Sequence, residues 1–458
     1  MKVLVVNVGS TSLKFRLFEM PDEAVLAEGS IERVGALVSP VVYRTRDGPT
    51  REAEIECPDQ GTAIRHALRL MRSPGGVLPD LADLAAVGFK PVHAKGISDA
   101  VFVDDEVIAA MEEYRLLAPA HNPPYVAAFR WFRDTLPATP LVGVFETAFH
   151  RTIPDYASTY GIPEAWRKKH AIRRYGFHGA SHRYVSTRVP ELLGRTTEEL
   201  RIVSCHLGGS SSVCAIRGGV SLDTSMGFSP QSGLPSATRN GDLDPFIVLY
   251  VMAKEGWNPK QVGDVLTREG GLKGISGLGG DVRDLTAAAH GGDARAELAL
   301  NVLAYETRKY IGAYAAVLGG IDVLAFTGGI GEHSAAMRTR ICRGLEFLGV
   351  DLDSARNEGG GTDAVISPDG SRVIVAVIRA NEELVVARET MRLLAGRNGG
   401  ATRPGGESPA GRSPGVPAPG VTIRPQDGPD AARQLGGESS DRQRRGRARR
   451  RFVPRSGS

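Results

Sequence analysis

Residues 3–18 constrain the fold more than any other stretch, because the chain writes their pattern twice. The apolar run Val3-Leu4-Val5-Val6 leads into Asn7-Val8-Gly9-Ser10-Thr11-Ser12, and a second run, Leu13-Lys14-Phe15-Arg16-Leu17, returns. Much later Ile202-Val203-Ser204-Cys205 leads into His206-Leu207-Gly208-Gly209-Ser210-Ser211-Ser212, and Val213-Cys214-Ala215-Ile216 returns. Each copy predicts a buried strand, a turn of Gly and small hydroxyls, and a second strand. Such turns gather backbone N–H groups and hydroxyls with no bulky side chain in the way, which is what phosphate oxygens require. One copy alone reads as an ordinary hairpin. Two copies point to related domains closing on a phosphorylated ligand.

The length of 458 residues predicts two or three domains. A hydrophobic content of 41% is that of a soluble globular protein. The four cysteines, Cys57, Cys205, Cys214 and Cys342, show no paired spacing, which argues against a disulfide framework or a zinc site and fits a reducing cytoplasm. No stretch approaches the ~20 apolar residues of a membrane span, and the N-terminal apolar run is too short for a signal peptide. The net charge of +4 hides an asymmetry: residues 398–458 hold twelve Arg against five acids, a balance of +7 that leaves −3 for the rest. This tail is rich in Gly, Pro, Ser and Arg and lacks aliphatic clusters, so it reads as disordered. Its run Arg442-Gln443-Arg444-Arg445-Gly446-Arg447-Ala448-Arg449-Arg450-Arg451 either binds nucleic acid or is a solvated end with no partner; composition favours the second.

Between these limits strand-like and helical runs alternate. Residues 105–117 predict an amphipathic helix, closed by a rigid loop at Pro119-Ala120-His121-Asn122-Pro123-Pro124. Residues 141–145 predict a strand ending at Glu146, residues 294–318 a long helix, residues 321–326 and 373–378 strands, and residues 382–394 a closing helix. The expected class is α/β, with sheets covered on both faces and ligands at the strand C-terminal ends.

Three further segments carry candidate chemistry. Gly328-Gly329-Ile330-Gly331 stands between a strand and a helix, where nucleotide phosphates approach backbone closely; it matches neither the Rossmann nor the P-loop spacing. The Gly-rich stretch 270–283, closing on Asp281 and Arg283, reads as a loop that either holds a ribose or base, or lies on the surface with an exposed ion pair. His178, beside Gly179 and after Arg173-Arg174, suits stabilisation of negative charge or is structural. Turn chemistry explains Asn240-Gly241-Asp242 but not Arg239, which reads as an anion clamp.

Together these segments resemble the acetate kinases, of the acetokinase group within the sugar kinase, Hsp70 and actin superfamily. The resemblance runs through Asn7-Val8-Gly9-Ser10-Thr11-Ser12, Ala118-Pro119-Ala120-His121-Asn122-Pro123-Pro124, Tyr175-Gly176-Phe177-His178-Gly179, Asp223-Thr224-Ser225-Met226-Gly227-Phe228, Thr238-Arg239-Asn240-Gly241-Asp242, Phe326-Thr327-Gly328-Gly329-Ile330-Gly331-Glu332 and Asn381-Glu382-Glu383-Leu384. It implies two actin-like (ribonuclease H-like) domains around a central cleft, residues 1–145 with 382–397 and residues 146–381, ahead of the tail. It also implies reversible transfer of the ATP γ-phosphoryl group to a small carboxylate, acetate or propionate, giving an acyl phosphate and ADP. Asn7 and Glu382 would organise Mg²⁺ (or Mn²⁺). Ser10, Ser12 and Lys14, and His206, Gly208, Gly209 and Ser210, would contact phosphate. Asp281, Val282, Arg283, Gly329, Ile330 and Gly331 would hold the nucleotide. Glu146, His178 and Arg239 would be catalytic, and Lys90, Val92, Phe177 and Pro230 would meet the acid. A homodimer is implied in the same way.

This chain departs from the family pattern in five places. Lys90 stands where the family has Arg, and Glu146 where it has Asp. Gly208-Gly209-Ser210-Ser211-Ser212 has lost an Asn amide. Gly279-Gly280 replaces a Ser pair, and Ala120 a Leu. Lys is a point charge on a flexible stem and Arg a rigid fork, so the first change is not conservative. Two other readings are a phosphotransferase of this fold with another phosphoryl donor, pyrophosphate among them, and a nucleotide-binding regulator without turnover.

Overall fold

The doubled pattern forms two hairpins, each at the centre of its own sheet. The computed structural model describes residues 1–73 and 76–398. The tail, its disorder and its nucleic-acid reading therefore lie, from residue 399 on, outside the described residues. The first sheet contains β1 (Lys2–Val8), β2 (Ser12–Glu19), β3 (Ala24–Glu32), β4 (Ser39–Thr45), β5 (Arg51–Ile55), β6 (Leu84–Phe89), β7 (Ala100–Phe102) and β8 (Leu141–Val144). The second contains β9 (Arg201–His206), β10 (Ser212–Arg217), β11 (Val220–Thr224), β12 (Val323–Thr327), β13 (Ala364–Val365) and β14 (Ile374–Val377). Their orders are β5-β4-β3-β2-β1-β6-β8-β7 and β11-β10-β9-β12-β14-β13.

The five strands β3-β2-β1-β6-β8 and the five strands β11-β10-β9-β12-β14 share one plan. The hairpin β1/β2 is antiparallel, as is β9/β10. The first strand of each hairpin then pairs in parallel with a later strand, β6 or β12, and that strand with a third, β8 or β14. Parallel neighbours need long crossovers, which here are helical. Alternate residues of β1 face two different cores: Leu4, Val6 and Val8 pack with Phe15, Phe89 and Phe129, while Val3 and Val5 pack with Val142, Val144 and Val386. In the second sheet Val203, Cys205 and Val213 face one core, and Ile202, Cys214 and Ile216 the other. Both sheet centres are thus buried on both faces, as the continuous apolar runs require. Strand β5, exposed along almost its whole length, extends beyond this cover. All four cysteines are buried free thiols.

Helix ends follow local capping. The long helix forms as expected over Ala294–Leu318, with Asp293 accepting from the N–H groups of Arg295 and Ala296 and Gly319 closing it in the left-handed region. The closing helix runs Glu382–Asn398 and packs Val386 and Ala387 against the first sheet. The helix expected over 105–117 ends at Glu113, and Tyr114 turns away so that its hydroxyl donates to the His170 carbonyl (2.9 Å). The expected loop at 119–124 needs a larger correction. A helix begins inside it, Asn122–Thr135, with Pro123 and Pro124 in its first turn. Proline N–H groups are missing where a helix start would leave them unpaired, so the pair initiates a helix. Likewise 328–331 is itself the first turn of a short helix, Gly328–His333. The Gly-rich stretch expected as a loop over 270–283 folds its first part as a helix, Gly271–Ser276. Among the described residues no helix is long and apolar enough to cross a membrane.

Candidate active site

Parallel strands deliver their following residues to one edge of a sheet. Lys90 follows β6, and Glu146 lies just past the neighbouring β8. Glu382 opens the closing helix. The three meet: Lys90 Nζ lies 2.8 Å from Glu146 Oε1 and also pairs with Glu382 Oε2. Burial opposes the ammonium, but the two carboxylates outweigh it and hold Lys90 well above its ordinary value. Glu146 is pushed up by burial and by the Glu382 charge; on Glu382 the pull of Lys90 acts against the burial cost, and its carboxyl is lowered. The second oxygen of Glu146, Oε2, is buried without a hydrogen-bond partner. Asn7, near the end of β1, accepts from the buried hydroxyl of Tyr125 at 3.0 Å.

The segment 175–179 lies directly on Glu146. The Gly179 N–H donates to the Glu146 carbonyl (2.9 Å), and a Cβ on Gly179 would stand 2.3 Å from that oxygen. Gly176 sits at φ +72°, where a side chain would run into Thr224 and His150. Between them His178 takes φ +57° and caps helix Gly179–Leu193. Its Nδ1 lies 2.8 Å from Ser212 Oγ, and its ring stacks 4.2 Å from His206. Burial and then the neighbouring His206 push His178 well below its usual value, and burial also lowers His206, so both imidazoles are uncharged near neutrality. His121, lowered to about 4 by burial and then by Arg239 and Lys90, faces the same cluster.

Arg239 is half-buried and donates from Nη1 to Ser210 Oγ at 2.7 Å. The turn after β9 is held by its own serines: Ser211 Oγ bonds both the N–H and the carbonyl of Gly208 at 3.2 Å, and Ser211 N–H donates to Ser236 Oγ (3.1 Å). These hydroxyls hold the turn by local bonds. Strand β12 lies beside β9, so 328–331 abuts this turn; the N–H groups of Ile330 and Gly331 donate to the Leu207 carbonyl at 2.8 and 3.2 Å. Glu332 Oε1 accepts from Gly328 N–H (3.1 Å) and Ala380 N–H (3.0 Å), tying this turn to the chain just before Glu382.

On the first-sheet side Phe177 and Pro230 are buried and Val92 is half-buried. Phe177 packs on His93 (5.3 Å between ring centroids), which also meets Tyr114 and Tyr175 at 4.6 Å. Ala120 is exposed. No hydrogen bond or ion pair among the described residues joins Ser10, Lys14, Asp281 or Arg283 to the Lys90 cluster. Ser10 and Lys14 are exposed, and Lys14 lines a 410 Å³ groove with Arg16, Ser30, Arg44 and Glu383. Arg283 is 90% exposed and pairs with Asp281 at 2.6 Å, which draws the Asp281 carboxyl down to about 2. Val282 is buried beneath that pair. Tyr125, His182, Ser181, Ser204 and Glu332 are parts of this region that sequence reasoning did not single out. Position four residues after His178, on the same helix face, is the signal that marks His182.

Cations, uncharged imidazoles and carboxylates thus converge where two glycine-rich turns and the ends of two sheets meet. On this α/β fold they define a phosphotransferase. A sequence profile described as the acetokinase family matches residues 2–388. The acetate kinase of Dictyoglomus thermophilum is 47% identical over 396 residues, 86% of this chain and 99% of its own. The acetate kinase of Carboxydothermus hydrogenoformans is 45% identical over 402 residues, 87% of this chain and 100% of its own. Among solved structures, Porphyromonas gingivalis acetate kinase aligns with a TM-score of 0.78 at 39% identity, covering 86% of this chain and 99% of its own. A propionate kinase from Francisella tularensis aligns with a TM-score of 0.78 at 32% identity, covering 85% and 98%. The chain belongs to the acetokinase family.

Proposed function

We propose that this protein transfers the γ-phosphoryl group of ATP to a carboxylate oxygen of acetate, with propionate as a second acceptor, in the reversible formation of an acyl phosphate and ADP. The observation that carries this reading is the buried meeting of Lys90 with Glu146 and Glu382, beside His178, His206 and Arg239. The acid's own oxygen attacks phosphorus, and the bond to the bridging oxygen of ADP breaks with its electron pair. No nucleophilic side chain is needed; the protein positions the partners and neutralises charge. Lys90 binds the acid's carboxylate, Arg239 and His178 hold the equatorial phosphoryl oxygens, and Glu146 keeps the two cations apart and oriented. Val92, Phe177 and Pro230 wall the methyl group. Ser10, Ser12, Lys14, His206, Gly208, Gly209 and Ser210 receive phosphate oxygens, and Asp281 to Arg283 with Gly329 to Gly331 receive the nucleoside.

Asn7 and Glu382 fit Mg²⁺ or Mn²⁺: an amide and a carboxylate oxygen are hard donors, few enough to leave room for phosphates and water. Among the described residues no group of three or more His, Cys, Asp or Glu could hold a metal by itself. Bound there, the ion would neutralise charge on the β- and γ-phosphates.

The division into residues 1–145 with 382–397 and residues 146–381 follows the two sheets, and its closure would shield the acyl phosphate from water. A cytoplasmic enzyme fits four buried free thiols. A homodimer is supported by helix Pro245–Glu255, which buries none of its residues and exposes Phe246 (72%), Leu249 and Tyr250 (64%) on one surface. Light scattering is expected to give twice the 48.8 kDa chain mass, and the double variant Phe246→Glu/Tyr250→Glu the single mass. An unchanged mass in that variant would move the interface elsewhere.

Purified protein with ATP and Mg²⁺ is expected to form acyl hydroxamate from acetate and propionate in the presence of hydroxylamine. Equal inertness toward acetate, propionate and butyrate would refute the reading, and activity with pyrophosphate alone would change the donor.

A further inference from the structure

Behind the cluster, histidines and serines alternate in a buried chain. Ser204 is fully buried, and among the described residues its hydroxyl has one hydrogen-bond partner, His182 Nδ1, at 2.9 Å. A buried hydroxyl with one partner uses its proton there. Nδ1 of His182 is then an acceptor, and the ring proton sits on Nε2. That Nε2–H donates to Ser212 Oγ at 2.8 Å. Ser212 is fully buried too, and its own proton goes to its remaining partner, His178 Nδ1, at 2.8 Å. The proton of His178 is therefore on Nε2, the ring nitrogen that the chain leaves free. A shorter chain does the same for His206: buried Ser181 lies 2.7 Å from its Nδ1 and has no other partner among the described residues. The opposite polarity would leave Ser204 and Ser181 with buried, unused protons, which is unfavourable.

His150 anchors the same segment. Its Nε2 lies 2.9 Å from the Phe177 carbonyl, which can only accept, so Nδ1 takes the proton of buried Ser221 at 2.9 Å. The carbonyl preceding His178 is thereby fixed.

We propose that Ser204 and His182 are positioning residues: they lock His178 as its Nε2–H tautomer, as Ser181 locks His206, so that two uncharged imidazoles present N–H donors rather than lone pairs to phosphoryl oxygens. The proposal rests on the reading of His178 as a group that touches the transferring phosphoryl. Burial keeps both rings neutral, so their tautomers decide whether they attract or repel an oxyanion. A hydroxyl on β9, in contact with the cleft only through another histidine, thereby sets the sign of a catalytic dipole.

Long-range ¹⁵N–¹H correlation on full-length protein with ¹⁵N-labelled histidine reads the tautomers directly. His178, His182 and His206 are expected as Nε2–H. Ser204→Ala is expected to mix the tautomers of His182 and His178 and to lower kcat about tenfold, with KM for acetate and ATP little changed; Ser204→Thr, which keeps the hydroxyl, is expected to restore both. A wild-type His178 protonated on Nδ1 overturns the proposal without any variant. Unmixed tautomers in Ser204→Ala overturn it as well. Mixed tautomers with undiminished kcat overturn its catalytic half, and they place the failure in the role given to His178 rather than in the chain.

Discussion

Arg239→Ala is expected to lower kcat by roughly a thousandfold or more, the range found when a transition-state arginine is removed. The guanidinium is half-buried, so its charge is only partly screened by water, and Ser210 holds one of its donors at 2.7 Å. The remaining donors stay available to the phosphoryl group in flight. Burial lowers its proton affinity and Glu146 opposes that, but an arginine stays charged at neutral pH. Arg239→Lys is expected to recover little, because an ammonium lacks the planar fork. Initial rates of hydroxamate formation give kcat, and calorimetric ADP binding within about threefold of the parent shows that the nucleotide site survives. Turnover within tenfold of the parent would remove Arg239 from the transition state.

Lys90→Met should damage the fold as much as the chemistry. It leaves the Glu146 and Glu382 carboxylates buried side by side without a cation, and breaking a buried ion pair in this way costs about 3–5 kcal/mol. The sign of the pH dependence follows. Without the ammonium both carboxylates have folded pKa values above their unfolded ones, so protonation relieves the folded state. The destabilisation is therefore full above the raised folded pKa and shrinks as pH falls toward the unfolded carboxylate value near 4.3. Parallel urea titrations should show the gap between parent and variant widest at pH 8 and clearly smaller at pH 5. A gap independent of pH would mean that the two acids are not left facing each other. Lys90→Arg, by contrast, keeps the charge and is expected to retain or raise turnover. Loss of activity in that variant would show that Glu146 and its surroundings are built around the lysine.

The hairpins at 3–18 and 202–216, the buried cysteines and the helix over Ala294–Leu318 were legible because apolar periodicity and capping are local. The helix starting at Asn122 was not, because Pro123 and Pro124 read equally well as a stop and as a first turn. The outcome turns on what lies downstream: Tyr125, Val126 and Phe129 bury themselves against β1 and β6, and the helix is the way to present them together. The same limit applies to Asp281 and Arg283. The ion pair between them forms at 2.6 Å, and their spacing serves that pair and a nucleoside contact alike.

The sequence by itself determined which groups this protein has for its chemistry, and where its turns of glycine and small hydroxyls fall. Composition and spacing carry that much because turn formation and strand burial depend on near neighbours. Only the tertiary structure decided how those groups act on one another. Lys90 and Glu382 stand far apart along the chain, and nothing in either neighbourhood says that they share one buried pair with Glu146. Charge coupling and histidine tautomers depend on distances of about 3 Å inside a low-dielectric interior, and those distances are set where parallel strand ends and a returning helix meet.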